Sequence, residues 1–246
     1  MPINGTLDPA APADGAPRIE GLATDPLRLE RAQILHVLYE IDSDGAEGLI
    51  PPALHPTVPP TASFVAWRLA QSDWGPFTMA QVRVGCRAGV RPRGFLLAAV
   101  VDNPVAAAAL TARWGYRCEP ATPVLRRYHD RVAVTVERDG VTILEAALVG
   151  PEPVSGTDVQ YTANMNPAHT SDGFRLVQVD PEYEFHRADR GRPSLPVFDA
   201  GAWGDERVRP VFPVSASSTV ADVTMPRIRY IARLDLPALQ GTTKIG

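Results

Sequence analysis

Arg131-Val-Ala-Val-Thr-Val-Glu137, Arg138-Asp139-Gly140 and Val141-Thr-Ile-Leu-Glu-Ala-Ala-Leu-Val149 stand in sequence, so two β-branched runs meet across an Asp-Gly pair. Asp-Gly tolerates the positive φ of a tight turn, and the flanks alternate at the period of a strand, so the stretch reads as a β-hairpin. Working outward, Gln33–Ile41, Ser63–Gln71, Phe77–Arg87 and Gly94–Val101 are further short runs rich in β-branched, aromatic or other apolar residues. In the third, Val82, Val84 and Cys86 share one face while Gln81, Arg83 and Arg87 share the other. Strands are also expected at Phe174–Val179, Arg207–Phe212 and Arg227–Leu234.

One helix is well marked. Asp102 or Asn103 can cap it, Pro104 suits its first turn, Val105–Arg113 is rich in alanine, and Gly115 can end it. A second short helix is expected from Asp44 to Leu49, stopped by Pro51-Pro52. Many strands and few helices define an α+β, mainly β chain: an antiparallel barrel or curled sheet with a few outer helices. Residues 1–22, rich in Pro, Ala, Gly and Asp without an apolar period, read as a flexible N-terminal arm, and residues 23–246 as a single domain.

Composition narrows the function. The formal charge of −4 gives no electrostatic footprint for nucleic acid, and no basic amphipathic stretch suggests a membrane surface. No apolar run is long enough to span a bilayer and no secretory leader is visible, so a cytoplasmic setting is expected, with Cys86 and Cys118 as free thiols. His36, His55, His129, His169 and His186 are scattered without metal-ligand spacing, and no Gly-rich phosphate loop occurs, so no metal and no cofactor is expected. Of the 24 Lys and Arg residues only Lys244 is a lysine, two residues from the end. An arginine stays protonated and forms no Schiff base.

Four segments taken in order resemble the acetoacetate decarboxylase family. They are Gly48-Leu-Ile-Pro-Pro-Ala-Leu54, Val100-Val-Asp-Asn103, Ala112-Arg-Trp-Gly-Tyr116, and Val214-Ser-Ala-Ser-Ser217 followed by Ala221-Asp-Val-Thr-Met-Pro-Arg227. The resemblance implies a β-barrel fold, assembly into homo-oligomers, and a buried cavity for a small oxo acid. It also implies two lysines just after the helix, one forming a Schiff base with the substrate ketone. Counting from Val101-Asp102-Asn103 puts those positions at Cys118 and Glu119, within Trp114-Gly-Tyr-Arg-Cys-Glu-Pro120, so both amines are gone. The family's cavity glutamates fall near Phe64 and near Met79, with Gln81 the closest polar residue, and its arginine before the first strand falls at Arg31.

The candidate catalytic residues are therefore Cys118, Glu119 and Glu145, and the candidate substrate-binding residues are Arg31, Gln81, Tyr116 and Arg117. Cys118 is either a thiol facing the cavity or a small buried apolar side chain. Glu119 is a cavity acid or a solvated loop charge. Glu145 alternates with Val141, Ile143, Ala147 and Val149 on an otherwise apolar face, where a carboxyl would be a raised-pKa general acid unless an arginine pairs with it or that face is partly solvated. Arg31 anchors a substrate carboxylate or is a surface charge. Asn164-Met-Asn-Pro167 and Thr170-Ser-Asp-Gly173 read as turns. Without an imine there is no electron sink for decarboxylation. The sequence thus suggests a lyase- or isomerase-type enzyme working by enolisation on an oxo acid or polyketide-like metabolite through dehydration, isomerisation or cyclisation. The alternatives are a non-catalytic small-molecule-binding protein on the same fold and a Cys118-dependent hydrolase or transferase.

Overall fold

The computed structural model describes residues 4–245. The chain enters the sheet with β1 (Leu27–Glu40), β2 (His55–Pro56), β3 (Thr61–Leu69), β4 (Phe77–Ala88) and β5 (Arg91–Val101). Helix α1 (Pro104–Trp114) leads to β6 (Cys118–Pro120), β7 (Thr122–Arg127), β8 (Arg131–Arg138) and β9 (Val141–Pro153). Then follow β10 (Ala163–Thr170), β11 (Gly173–Val179), β12 (Glu182–Phe198), β13 (Phe212–Met225) and β14 (Tyr230–Ala232). A single helical turn, α2 (Ala238–Gly241), and β15 (Thr242–Lys244) end the described chain.

All strands join one sheet in the order β15-β14-β11-β10-β5-β4-β3-β1-β13-β12-β9-β8-β7, with β2 beside β4 and β6 beside β5. The sheet is curled and does not close into a barrel. Nor is it purely antiparallel: β5 pairs in parallel with both β6 and β10. The Asp-Gly hairpin forms as the sequence indicates, with Asp139 at φ 53° and Gly140 at φ 77°.

The central strands separate two cores. One face carries Val37, Tyr39, Phe64, Val82, Val134 and Leu148, the other Ile34, Trp67, Met79, Trp114, Val177 and Val223. Strands covered on both sides read as nearly continuous apolar runs, which is why Phe77–Val84 is buried without a break. Helix α1 lies against the second core through Ala106, Leu110 and Trp114. The Asn103 carboxamide oxygen caps it by accepting from the amides of Val105 and Ala106.

Gly115 ends that helix at φ 68°, and a Cβ there would lie 2.8 Å from the Cβ of Ala168. Gly115→Ala is thus expected to destabilise the protein by about 2 kcal/mol, combining left-handed strain with overpacking. A urea midpoint unchanged from the parent would contradict this account.

Several expectations need correction. Asn164–Pro167 is not a turn but the first half of β10, with both asparagine side chains buried. Arg207–Phe212 is a short helical turn over Glu206–Val208 followed by the start of β13, because Pro210 interrupts the run. Within Arg227–Leu234 only Tyr230–Ala232 pairs. The segment from Asp44 to Leu49 forms only one 3₁₀ turn, Ala46–Leu49.

The described part of the supposed arm lies against the body. Gly5 and Leu7 donate backbone bonds to Leu54 and Ile50, while the buried Ile19 donates to the His169 carbonyl at the end of β10, whose own amide donates to the Pro17 carbonyl. Its polar composition hid these backbone contacts. Among the described residues no helix is long and apolar enough to cross a membrane.

A buried polar chamber as candidate active site

Period-two alternation places Met79, Gln81 and Arg83 of β4 on the second-core face. There they meet β3, β10 and the chain leaving α1. Arg83 is 4% exposed, Gln81 1%, Asn164 3% and Tyr116 1%. The Arg83 Nη1 donates to Asn164 Oδ1 at 2.7 Å and to the Thr162 carbonyl at 3.1 Å, and its Nε donates to Ser63 Oγ at 3.3 Å. The Asn164 amide in turn donates to Gln81 Oε1 at 2.8 Å and Tyr116 Oη at 3.2 Å.

Aromatic residues complete the enclosure. His36 meets Tyr161 edge-on with centroids 5.6 Å apart, and Tyr161 meets Tyr183 at 5.0 Å. Tyr183 stacks on Phe185 and lies edge-on to Trp67. The Tyr161 hydroxyl is 3.0 Å from that of Thr219 on β13. His36, Tyr161 and Tyr183 are each half-buried, and burial is the first cause of their shifted titration.

Electrostatically this chamber is unusual. A buried guanidinium is costly unless paired with an anion. Among the described residues no ion pair includes Arg83: its partners are an amide, a carbonyl and a hydroxyl. Burial lowers its pKa, while nearby tyrosines and Cys86 work the other way. His36 is pushed down to about 3, first by burial and then by Arg83, so its imidazole is neutral. Tyr161 is pushed up to about 12, and Tyr116 and Tyr183 higher, all by burial, so all three hydroxyls are neutral hydrogen-bond donors.

Of the residues singled out by sequence, Gln81 and Tyr116 come together here. Cys118 borders the same side, since β6 places it beside Ala99, and burial pushes its thiol up to about 12, a hydrogen bond with Thr111 offsetting little. The nucleophilic thiolate is therefore absent at neutral pH. Glu119 and Arg117 face away from Cys118, as neighbours on a strand must, and Glu119 pairs with Arg138 at 3.1 Å.

Glu145 shares a face with Ala147 and Val149, and that face is half-buried and partly solvated, not part of the core. A bulge opposite Val136 and Glu137 buries Ile143 and Leu144 in succession, after which Ala146 and Leu148 point inward and Glu145 outward. Arg31 occupies a bulge in β1 at φ 55°, with its side chain exposed and its amide bonded to Asp222 Oδ1 at 2.8 Å.

Sequence reasoning left Arg83 on an undecided face and passed over His36, Tyr161, Tyr183 and Asn164. The alternation Glu182-Tyr-Glu-Phe-His186 carried the signal for Tyr183 and Phe185. Lys244 stands exposed on β15. Among the described residues no three His, Cys, Asp or Glu side chains gather as a metal site.

A curled, β-rich sheet and a buried polar cluster around an arginine are the features that the comparisons with known proteins must match. The acetoacetate decarboxylase family model matches residues 11–232, and the chain belongs to that family. Among curated proteins none matches it by sequence. Solved structures agree on the fold. The acetoacetate decarboxylase of Legionella pneumophila superposes with a TM-score of 0.71 at 19% identity, covering 83% of this chain and 86% of that one. The enduracididine biosynthesis enzyme MppR complexed with pyruvate gives 0.66 at 17%, covering 85% and 95%. An acetoacetate decarboxylase-like enzyme from Sphingomonas wittichii RW1 gives 0.62 at 17%, covering 87% and 91%.

Proposed function

We propose that this protein is an enzyme that enolises a small oxo acid without a Schiff base, leading to dehydration, isomerisation or cyclisation rather than acetoacetate decarboxylation. The observation that carries the reading is Arg83, a buried guanidinium that no ion pair among the described residues includes and whose surroundings are aromatic and hydroxylic. A substrate carboxylate supplies the anion through a bidentate pair. Likeness in fold to MppR, solved with pyruvate bound, supports an oxo acid as the ligand.

In this reading the neutral His36 imidazole accepts the proton α to the ketone. Hydroxyls of Tyr116, Tyr161 or Tyr183 hold the enolate oxygen by hydrogen bonds. The proton then returns either to a different carbon, which isomerises the substrate, or to a β-hydroxyl, which leaves as water. Cys118 lines the wall as a neutral thiol, and Glu119, Glu145 and Arg31 take no part.

Enolisation is tested directly by incubating α- and β-oxo acids with the protein in D₂O and following loss of the α-proton signal by NMR. Catalysed exchange without CO₂ release is expected. Failure of every oxo acid to bind would overturn the reading. One observation favours a second reading, a binding protein that has lost catalysis: the hydrogen-bond and electrostatic partners of Arg83 are amides, hydroxyls, a carbonyl and a thiol, with no carboxylate among them for the described residues. Tight binding with no exchange would decide for it.

A further inference from the structure

A separate cavity of about 390 Å³ lies on the other side of β6, between the N-terminal segment, the middle of β5 and the end of β8. Leu7, Pro17, Leu49, Phe95 and Ala98 supply its apolar wall. Three arginines and two carboxylates supply the rest. Arg207 is fully engaged with Asp205, by bonds of 2.9 Å and 2.6 Å, so that pair is self-neutralising. The remaining charges are Arg117, Arg138 and Glu119, two cations against one anion.

Glu119 does not satisfy either cation well. Its Oε1 is 3.8 Å from Arg117 Nε. Its Oε2 is 3.1 Å from Arg138 Nη2, yet outside hydrogen-bond geometry, and the Nε and Nη2 of Arg138 are buried without a hydrogen-bond partner. Only Nη1 of Arg138 is spent, on the Ala202 carbonyl at 3.1 Å. The Nε–Nη2 edge is the one that grips a carboxylate bidentately. A modest shift of the Glu119 side chain opens that edge to the cavity.

The geometry points to a second ligand site here, taking a small amphipathic monoanion: a carboxylate on Arg138 and Arg117, and an apolar body of a few carbons against Leu49, Phe95 and the N-terminal segment. Its volume lies at the small end of the range for organic ligands. The site is distinct from the Arg83 chamber, because β6 turns Cys118 toward one and Glu119 toward the other.

Hexanoate is the probe, with 1-hexanol as its uncharged counterpart, titrated into the ¹⁵N-labelled full chain. Hexanoate is expected to shift the backbone amides of Ala11, residues 13–16 and residues 201–204, with hexanol at least tenfold weaker. Arg138→Met is expected to weaken hexanoate at least tenfold. Glu119→Gln, which removes the competing anion, tightens it several-fold, and Arg83→Met leaves it unchanged. That Glu119→Gln gain is a readout a merely structural ion pair does not give, and it needs no loss of folding. Shifts confined to residues 161–164 and 217–219, equal binding of hexanol, or a weakened Glu119→Gln variant would each overturn the second site.

Discussion

Arg83→Met is expected to weaken binding of oxo acids at least a hundredfold while leaving the fold intact or slightly more stable. The two effects have opposite origins. In the ligand complex the guanidinium meets a carboxylate out of water, and truncating one partner of such a pair costs about 2–5 kcal/mol. In the free protein Arg83 is a buried cation without an anion, so an apolar side chain of similar length relieves desolvation while forfeiting hydrogen bonds to Asn164, Thr162 and Ser63. Calorimetric titration paired with thermal unfolding separates them. A variant that binds as tightly as the parent would show that the carboxylate lies elsewhere. A melting temperature lowered by ten degrees or more would make Arg83 a structural residue first.

Acid is expected to destabilise the protein already between pH 6.5 and 4.5, before most carboxylates titrate. His36 has an ordinary pKa of 6.5 when unfolded and about 3 when folded. The unfolded chain therefore takes up a proton that the native state refuses. This contribution is complete above pH 6.5 and is lost as pH falls toward 3. The first two units of that window remove about 2 kcal/mol, discounted for the ring's partial exposure. Urea midpoints at pH 7 and pH 4.5 measure the loss, and His36→Gln is expected to remove most of it. An equally steep acid limb in the variant would mean that His36 is solvated. Asp222 acts lower: its pKa is held near 2, first by the Arg31 amide and then by His186, so its share is lost between about pH 4 and 2.

The sequence reveals whatever depends on local pattern. The hairpin, the capped and glycine-ended helix and the strands from Gln33 to Val101 all follow from alternation, capping or turn chemistry over a few residues. Strands that depend on distant partners are not visible that way. β12 contains Pro193 and Pro196 and many charges, yet holds its place because β9 and β13 flank it. Glu145 shows how one bulge defeats the reasoning: a single extra residue reverses every later side chain on its strand. Gln81 and Tyr116 emerged by analogy with the family. Arg83 stayed undecided because alternation identifies two faces without saying which is inside. Asn164 was hidden by its neighbours, since the Asn166-Pro167 pair two residues on reads as a turn, whereas here both asparagines lie buried in β10, Asn164 accepting from Arg83.

The pairing of β1 with β13 has a bearing on biosynthesis. Leu27 faces Met225 and Glu40 faces Phe212, so the strand at the middle of the sheet waits for a partner made nearly two hundred residues later. A ribosome extends the chain at roughly 5–20 residues per second, which leaves one edge of β1 open for about ten seconds or more. During that interval the nascent β1–β3–β4–β5 meander offers unpaired amides and a row of Ile34, Leu35 and Val37 to any passing strand. Premature truncation anywhere before residue 212 therefore leaves a sticky half-sheet rather than a smaller folded unit, and a translating cell must shield that edge until β13 emerges.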